Sequence, residues 1–183
     1  MSKSLSFQNK VPIPNSYWVL PKQFLAGEHP MLLIDLPLHQ RIQAFFDTGI
    51  SLFINLIGEE EENDELGDYL PLLQSKAADR SPHIERRRFP IPDMQIPDKD
   101  VMVDILNTVD RALNAGQKIY VHCWGGIGRT GIVVGCYLVR HGMIAKTALE
   151  EIARLREHTR DYCYPSPTQR SQQQMILNWR TGQ

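Results

Sequence analysis

The chain has few cysteines, no long apolar run and almost no net charge, and each shortage removes a class of protein. Cys123, Cys136 and Cys163 are too few and too scattered for a disulfide framework and form no Cys-x2-Cys or Cys/His spacing. Neither a stapled secreted fold nor a zinc site is expected. No apolar stretch reaches the roughly 20 residues a membrane helix needs. The start, Met1-Ser2-Lys3-Ser4-Leu5-Ser6, lacks the apolar centre of a secretory signal. With 20 basic and 21 acidic residues the formal charge is −1, so no overall field recruits nucleic acid or an anionic membrane. The expectation is a cytoplasmic monomer without metal or cofactor.

What is present suits an ordinary globule: 183 residues, 42% hydrophobic and 22% charged, enough for one real core. Residues 1–15 are polar with two prolines and read as a loosely ordered segment, leaving 16–183 as a single domain. Strands are expected at Ser16–Leu20, Gln23–Gly27, Ser51–Ile57, Ile84–Ile91 and Lys118–His122. Helices are expected at Leu38–Thr48, Tyr69–Ala77, Lys99–Ala115, Arg129–His141, Ala145–Arg156 and Ser171–Trp179. The alternation implies an α/β fold, a central mostly parallel sheet flanked by helices on both faces.

One segment carries chemistry. Val121-His122-Cys123-Trp124-Gly125-Gly126-Ile127-Gly128-Arg129-Thr130-Gly131 joins a strand to a helix, where open α/β sheets place their ligands. A glycine-rich turn before a helix aims several N–H groups at one point and makes an anion cradle. An arginine fork can hold two phosphate oxygens. A cysteine at the mouth of such a cradle is pushed toward thiolate. Nucleophile and phosphate site in one loop suggest phosphoryl transfer through cysteine.

The pattern His-Cys-x-x-Gly-x-x-Arg-Thr-Gly resembles the phosphate-binding loop of the cysteine-based protein tyrosine phosphatases, and the compact length resembles their dual-specificity branch. The resemblance implies a phosphatase. Cys123 would attack phosphorus and form a cysteinyl-phosphate. The N–H groups of Trp124, Gly125, Gly126, Ile127, Gly128 and Arg129 would bind the equatorial oxygens. The guanidinium of Arg129 would clamp two of them. Thr130 would donate its hydroxyl to the Cys123 sulfur, and His122 would order the loop from behind. The family's general acid lies about 30 residues before the cysteine. Asp93, 30 residues upstream in Phe89-Pro90-Ile91-Pro92-Asp93-Met94, is the candidate; Asp98 and Asp100 sit where they could cap the next helix instead. Gln172 is the match for a water-positioning glutamine, with a solvated helix start as the other reading.

Other clusters read as ordinary surface. Glu59 to Glu62 with Asp64 and Glu65 is expected as a solvated loop; lying beside the cleft, it would favour basic peptides and repel polyphosphorylated lipids. Arg86, Arg87 and Arg88 are expected to serve solubility. Tyr17 and Trp18 are expected in the core, Cys136 as a buried small residue, Cys163 as passive. Between Cys123 and Arg129 the loop has no Lys, Arg or His, whereas family members acting on phosphoinositides often carry lysines there. A phosphorylated protein, through phosphotyrosine with phosphoserine or phosphothreonine as further substrates, is therefore favoured. The alternatives are a phosphoinositide or inositol-phosphate phosphatase, a catalytically silent phosphate-binding module, and sulfur transfer or arsenate reduction.

Overall fold

The computed structural model describes residues 11–32, 35–77 and 83–183. Five strands form one sheet: β1 (Ser16–Leu20), β2 (Phe24–Gly27), β3 (Leu52–Asn55), β4 (Glu85–Arg88) and β5 (Ile119–His122). Their order is β1-β2-β5-β3-β4. Only β1 and β2 are antiparallel; β2–β5, β5–β3 and β3–β4 pair in parallel. The expected mostly parallel α/β sheet is what forms.

The strand period of two sorts the core residues onto two faces. Phe24, Ala26, Leu52, Ile54, Ile119 and Val121 face one apolar cluster, while Leu25, Phe53 and Tyr120 face the other. The first face is covered by α4 (Lys99–Asn114), α5 (Gly128–Arg140), α6 (Ala145–Leu155) and α7 (Arg170–Asn178). The second is covered by α1 (Leu38–Thr48) and α3 (Leu70–Ala77). Helix α5 is buried nearly all round, as its unbroken apolar sequence requires. No helix among the described residues is long and apolar enough to cross a membrane.

Two expectations need revision. Of the segment 1–15, residues 1–10 lie outside the described residues, but Ile13 and Asn15 are buried. Asn15 is tied down because its side-chain amide donates to Glu28 and Asp161, both at 2.9 Å. The acidic run is a helix, α2 (Glu59–Glu65), and not a solvated loop. Four glutamates in its first turn suit the positive end of a helix, and arginines of β4 neutralise one of them at its base. Trp18 and Tyr17 are buried as expected, and so is Cys136, whose thiol burial raises; Cys163 is exposed.

Candidate active site

The loop from Cys123 to Gly128 joins the C-terminal end of β5 to α5, and its carbonyls are engaged outward. His29 N–H donates to Trp124 O at 2.7 Å, Asn15 Nδ2 to Gly125 O at 3.4 Å and Ser166 Oγ to Ile127 O at 2.7 Å. None of the N–H groups of residues 124–129 donates to another described residue. They are left for an anion, since unpaired N–H groups at a helix start seek one. Gly126 has φ +72, and a Cβ there would run into the backbone of Gly27 and Glu28. Gly131 is needed for a different approach: its Cβ would strike Ser166 Oγ and crowd Pro167.

Cys123 and Arg129 are both nearly buried and line one open cleft of about 510 Å³. The Arg129 guanidinium is met end-on by Glu61: Nη1 donates to Oε2 and Nη2 to Oε1, each at 2.7 Å. Nη1 also donates to Ile91 O at 3.1 Å, and Asp93 Oδ1 lies 3.2 Å from Nη2. Burial works against the charge of Arg129, but the bond to Glu61 and the neighbouring acidic groups hold its pKa above the usual arginine value. No hydrogen bond joins Nε to another described residue. Nε is therefore left for a second anion while Glu61 keeps the end, and Asp93 stands beside Nη2 of that same edge.

Asp93 follows β4 on an exposed turn, and Met94 beside it adopts φ +58, a left-handed conformation that a side chain other than glycine seldom takes. Both residues line the cleft. Asp93 shares this cleft with Cys123. Gln172 also lines the cleft, yet its amide is held at both ends: Nε2 donates to Gln95 O at 3.1 Å and Oε1 accepts from Gln169 N at 3.3 Å. It thus ties the start of α7 to the turn that carries Asp93. The Thr130 hydroxyl donates to Gly27 O at 3.5 Å, and no hydrogen bond among the described residues joins it to the Cys123 sulfur.

His122 stands behind the loop, fully buried. Its Nδ1 lies 3.3 Å from Cys123 O and its Nε2 2.7 Å from Tyr69 Oη. The carbonyl can only accept, so Nδ1 carries the proton and Tyr69 donates to Nε2. Burial, then the nearby His29, holds the His122 pKa well below its usual value and keeps it neutral. His29 resolves in the same way. Met31 N–H donates to its Nδ1 at 3.1 Å, so Nε2 carries the proton and donates to Glu62 Oε1 at 2.8 Å.

The sequence missed Glu61, Glu62, Arg86 and Arg88 as site components. Glu62 is buried, and accepts from His29, from Asn55 Nδ2 at 2.9 Å, from Arg86 Nη1 at 3.2 Å and from Arg88 Nη2. Arg86 and Arg88 are therefore not there for solubility. Their spacing was the available signal, because residues two apart on a strand share a face.

Comparisons with known proteins agree with this geometry. The model of the Tc-R-P family, polymorphic toxin system DSP-PTPase phosphatases, matches residues 36–143. The dual specificity protein phosphatase CDC14B of Mus musculus is 28% identical over 167 residues, covering 87% of this chain and 30% of the mouse protein. The Arabidopsis thaliana protein named phosphatidylinositol 3,4,5-trisphosphate 3-phosphatase and protein-tyrosine-phosphatase PTEN1 is 39% identical over 71 residues, covering 38% of this chain and 17% of that one. The chain thus spans a third or less of these relatives' length. Kinase associated phosphatase shares the fold at a TM-score of 0.72 and 16% identity, covering 91% of this chain and 93% of that one. The active form of Tk-PTP does so at 0.65 and 20%, covering 89% and 94%. With more than half its residues matched by the family model, the chain belongs to the Tc-R-P family of DSP-PTPase phosphatases, within the dual-specificity branch of the cysteine-based protein tyrosine phosphatase superfamily.

Proposed function

We propose that the chain hydrolyses phosphotyrosine in proteins, with phosphoserine and phosphothreonine as further substrates, through a cysteinyl-phosphate. One observation carries the reading: Cys123 and Arg129 share a cleft whose lining, among the described residues, includes no other cation and includes two carboxylates, Glu61 and Asp93. A single phosphate satisfies Arg129, whereas a second phosphate beside it would meet negative charge. Met94, Trp124 and Ile127 add apolar walls suited to an aryl ring.

In the first step Cys123 Sγ attacks phosphorus, the bond to the leaving oxygen breaks and Asp93 gives that oxygen its proton. The N–H groups of residues 124–129 and Nε of Arg129 hold the three equatorial oxygens as charge develops on them. In the second step Asp93 takes a proton from water, water oxygen attacks phosphorus and the P–S bond breaks. The hydroxyl of Thr130 stabilises the departing thiolate only by leaving Gly27 O. Held at both ends, Gln172 aids this step by fixing the Asp93 turn, with its second Nε2 proton available to water. We further propose that residues 16–183 act as one domain, as a monomer, in a reducing compartment such as the cytoplasm, where Cys123 stays a thiol.

The test is hydrolysis of an aryl phosphate, inhibited by vanadate and abolished by Cys123→Ser. Normal turnover by purified Cys123→Ser protein would overturn the mechanism. A Cys123→Ser, Asp93→Ala trap offered phosphotyrosine peptides, phosphothreonine peptides and a phosphoinositide panel should retain the phosphotyrosine peptides. Retention of the phosphoinositides instead would establish the lipid reading.

A further inference from the structure

The two adjacent glutamates of α2 have opposite surroundings. Glu61 faces the cleft and holds Arg129. Glu62, about 100° further round the helix, is buried at the base of the site between His29, Asn55, Arg86 and Arg88. Glu59 and Glu60, one turn-half earlier, are exposed. The polar face of this seven-residue helix is therefore anchored to the sheet through Glu62, which reaches the end of β3 at Asn55 and two side chains of β4.

The same anchor reaches the loop. His29, which donates to Glu62, gives its backbone N–H to Trp124 O. Arg86 packs over the Tyr69 ring at 5.4 Å, and Tyr69 donates to His122. We infer that Glu62 is a positioning residue for phosphate binding: seated among Arg86, Arg88 and His29, it fixes α2 so that Glu61 holds the end of Arg129 and leaves Nε for the oxyanion. Glu62 itself is buried and is not among the residues that line the cleft. Its effect passes through Glu61 and Arg129.

This rests on the phosphate-binding role proposed for Arg129, so the experiment reads binding as well as turnover. Tungstate affinity by calorimetry, with KM and kcat for an aryl phosphate, is measured for wild type, Glu61→Gln, Glu62→Gln and the double variant. Displacement of a site by about an ångström costs up to about a hundredfold. Glu62→Gln is expected to weaken tungstate binding and raise KM by roughly tenfold or more. The double variant should be no worse than Glu62→Gln alone, because both substitutions break one linkage. Additive losses, or wild-type tungstate affinity in folded Glu62→Gln, would overturn the inference.

Should Glu62→Gln not fold, Arg88→Met loosens the same anchor from its partly exposed side. It should raise KM, with Arg88→Lys restoring most of the loss; an unchanged KM in Arg88→Met also overturns the inference. Failure of wild type to bind tungstate would overturn the function proposed above and this inference with it. Wild-type binding with a normal Glu62→Gln response would remove this inference alone.

Discussion

Glu61 accepts from two different nitrogens of Arg129, both at 2.7 Å, and so holds the guanidinium from its end while Nε bonds to no other described residue. A bidentate pair of this kind fixes orientation as well as charge. Glu61→Gln should leave the fold intact but let Arg129 turn. A loss of about tenfold in kcat/KM, or about 1.4 kcal/mol, is expected, seen mainly as a higher KM because the arginine is preset before substrate arrives. Steady-state kinetics on an aryl phosphate checks this, and a KM equal to wild type would show that Arg129 needs no such partner.

Asp93 lies on the exposed turn beside Arg129 and lines the cleft. As the proposed acid it matters most when the leaving oxygen is strongly basic. Asp93→Asn should lower kcat by roughly 10²–10⁴ on phosphotyrosine, and less on an ester of an acidic phenol. Equal losses across a series of leaving groups would move the proton donor elsewhere.

Gly126 and Gly135 predict unequal costs. At Gly126 a Cβ meets the rigid backbone of Gly27 and Glu28 at positive φ; at Gly135 the atoms nearest to it belong to the Ile176 side chain. Gly126→Ala should lose phosphate binding and destabilise by about 1–3 kcal/mol or more. Gly135→Ala should retain the active loop, since Ile176 can shift. Thermal melts and tungstate binding of both variants provide the comparison.

Acid should weaken the fold through the groups beneath the loop. Burial holds His29 and His122 below the usual histidine value, and the bond from His29 to Glu62 only partly opposes this. The unfolded chain then binds protons that the folded one refuses, so stability falls as pH drops below about 6.5. Burial alone would raise Glu62, but its bonds to His29 and Arg88 lower it overall, adding a further loss at more acid pH. Burial raises Glu28, which acts in the opposite sense: its contribution is present in acid and lost as pH rises through its folded value. Melting temperature should decline from pH 6.5 downward, and less steeply in His29→Asn. A melting temperature that rose between pH 6.5 and 5 would contradict this account.

The glycine turn between β5 and α5 and the alternation of strands and helices were legible in the sequence because both depend on local order. Cys123, the glycines and Arg129 are close in the chain, and a strand, a turn and a helix suffice to bring them together. Asp93 was legible through a fixed separation from Cys123 and a place just after a strand. The roles of Glu61, Glu62, Arg86 and Arg88 were not, because an acidic run without apolar periodicity looks like solvated surface.

By itself the sequence determined a glycine-rich turn, a thiol and an arginine at the end of a central strand. Only the tertiary structure decided how that arginine is held. The parallel pairing of β3 with β4 brings Arg86 and Arg88 alongside the end of β3, from which α2 departs. A charge that would be solvated on an isolated helix becomes buried there because opposite charges from another strand meet it.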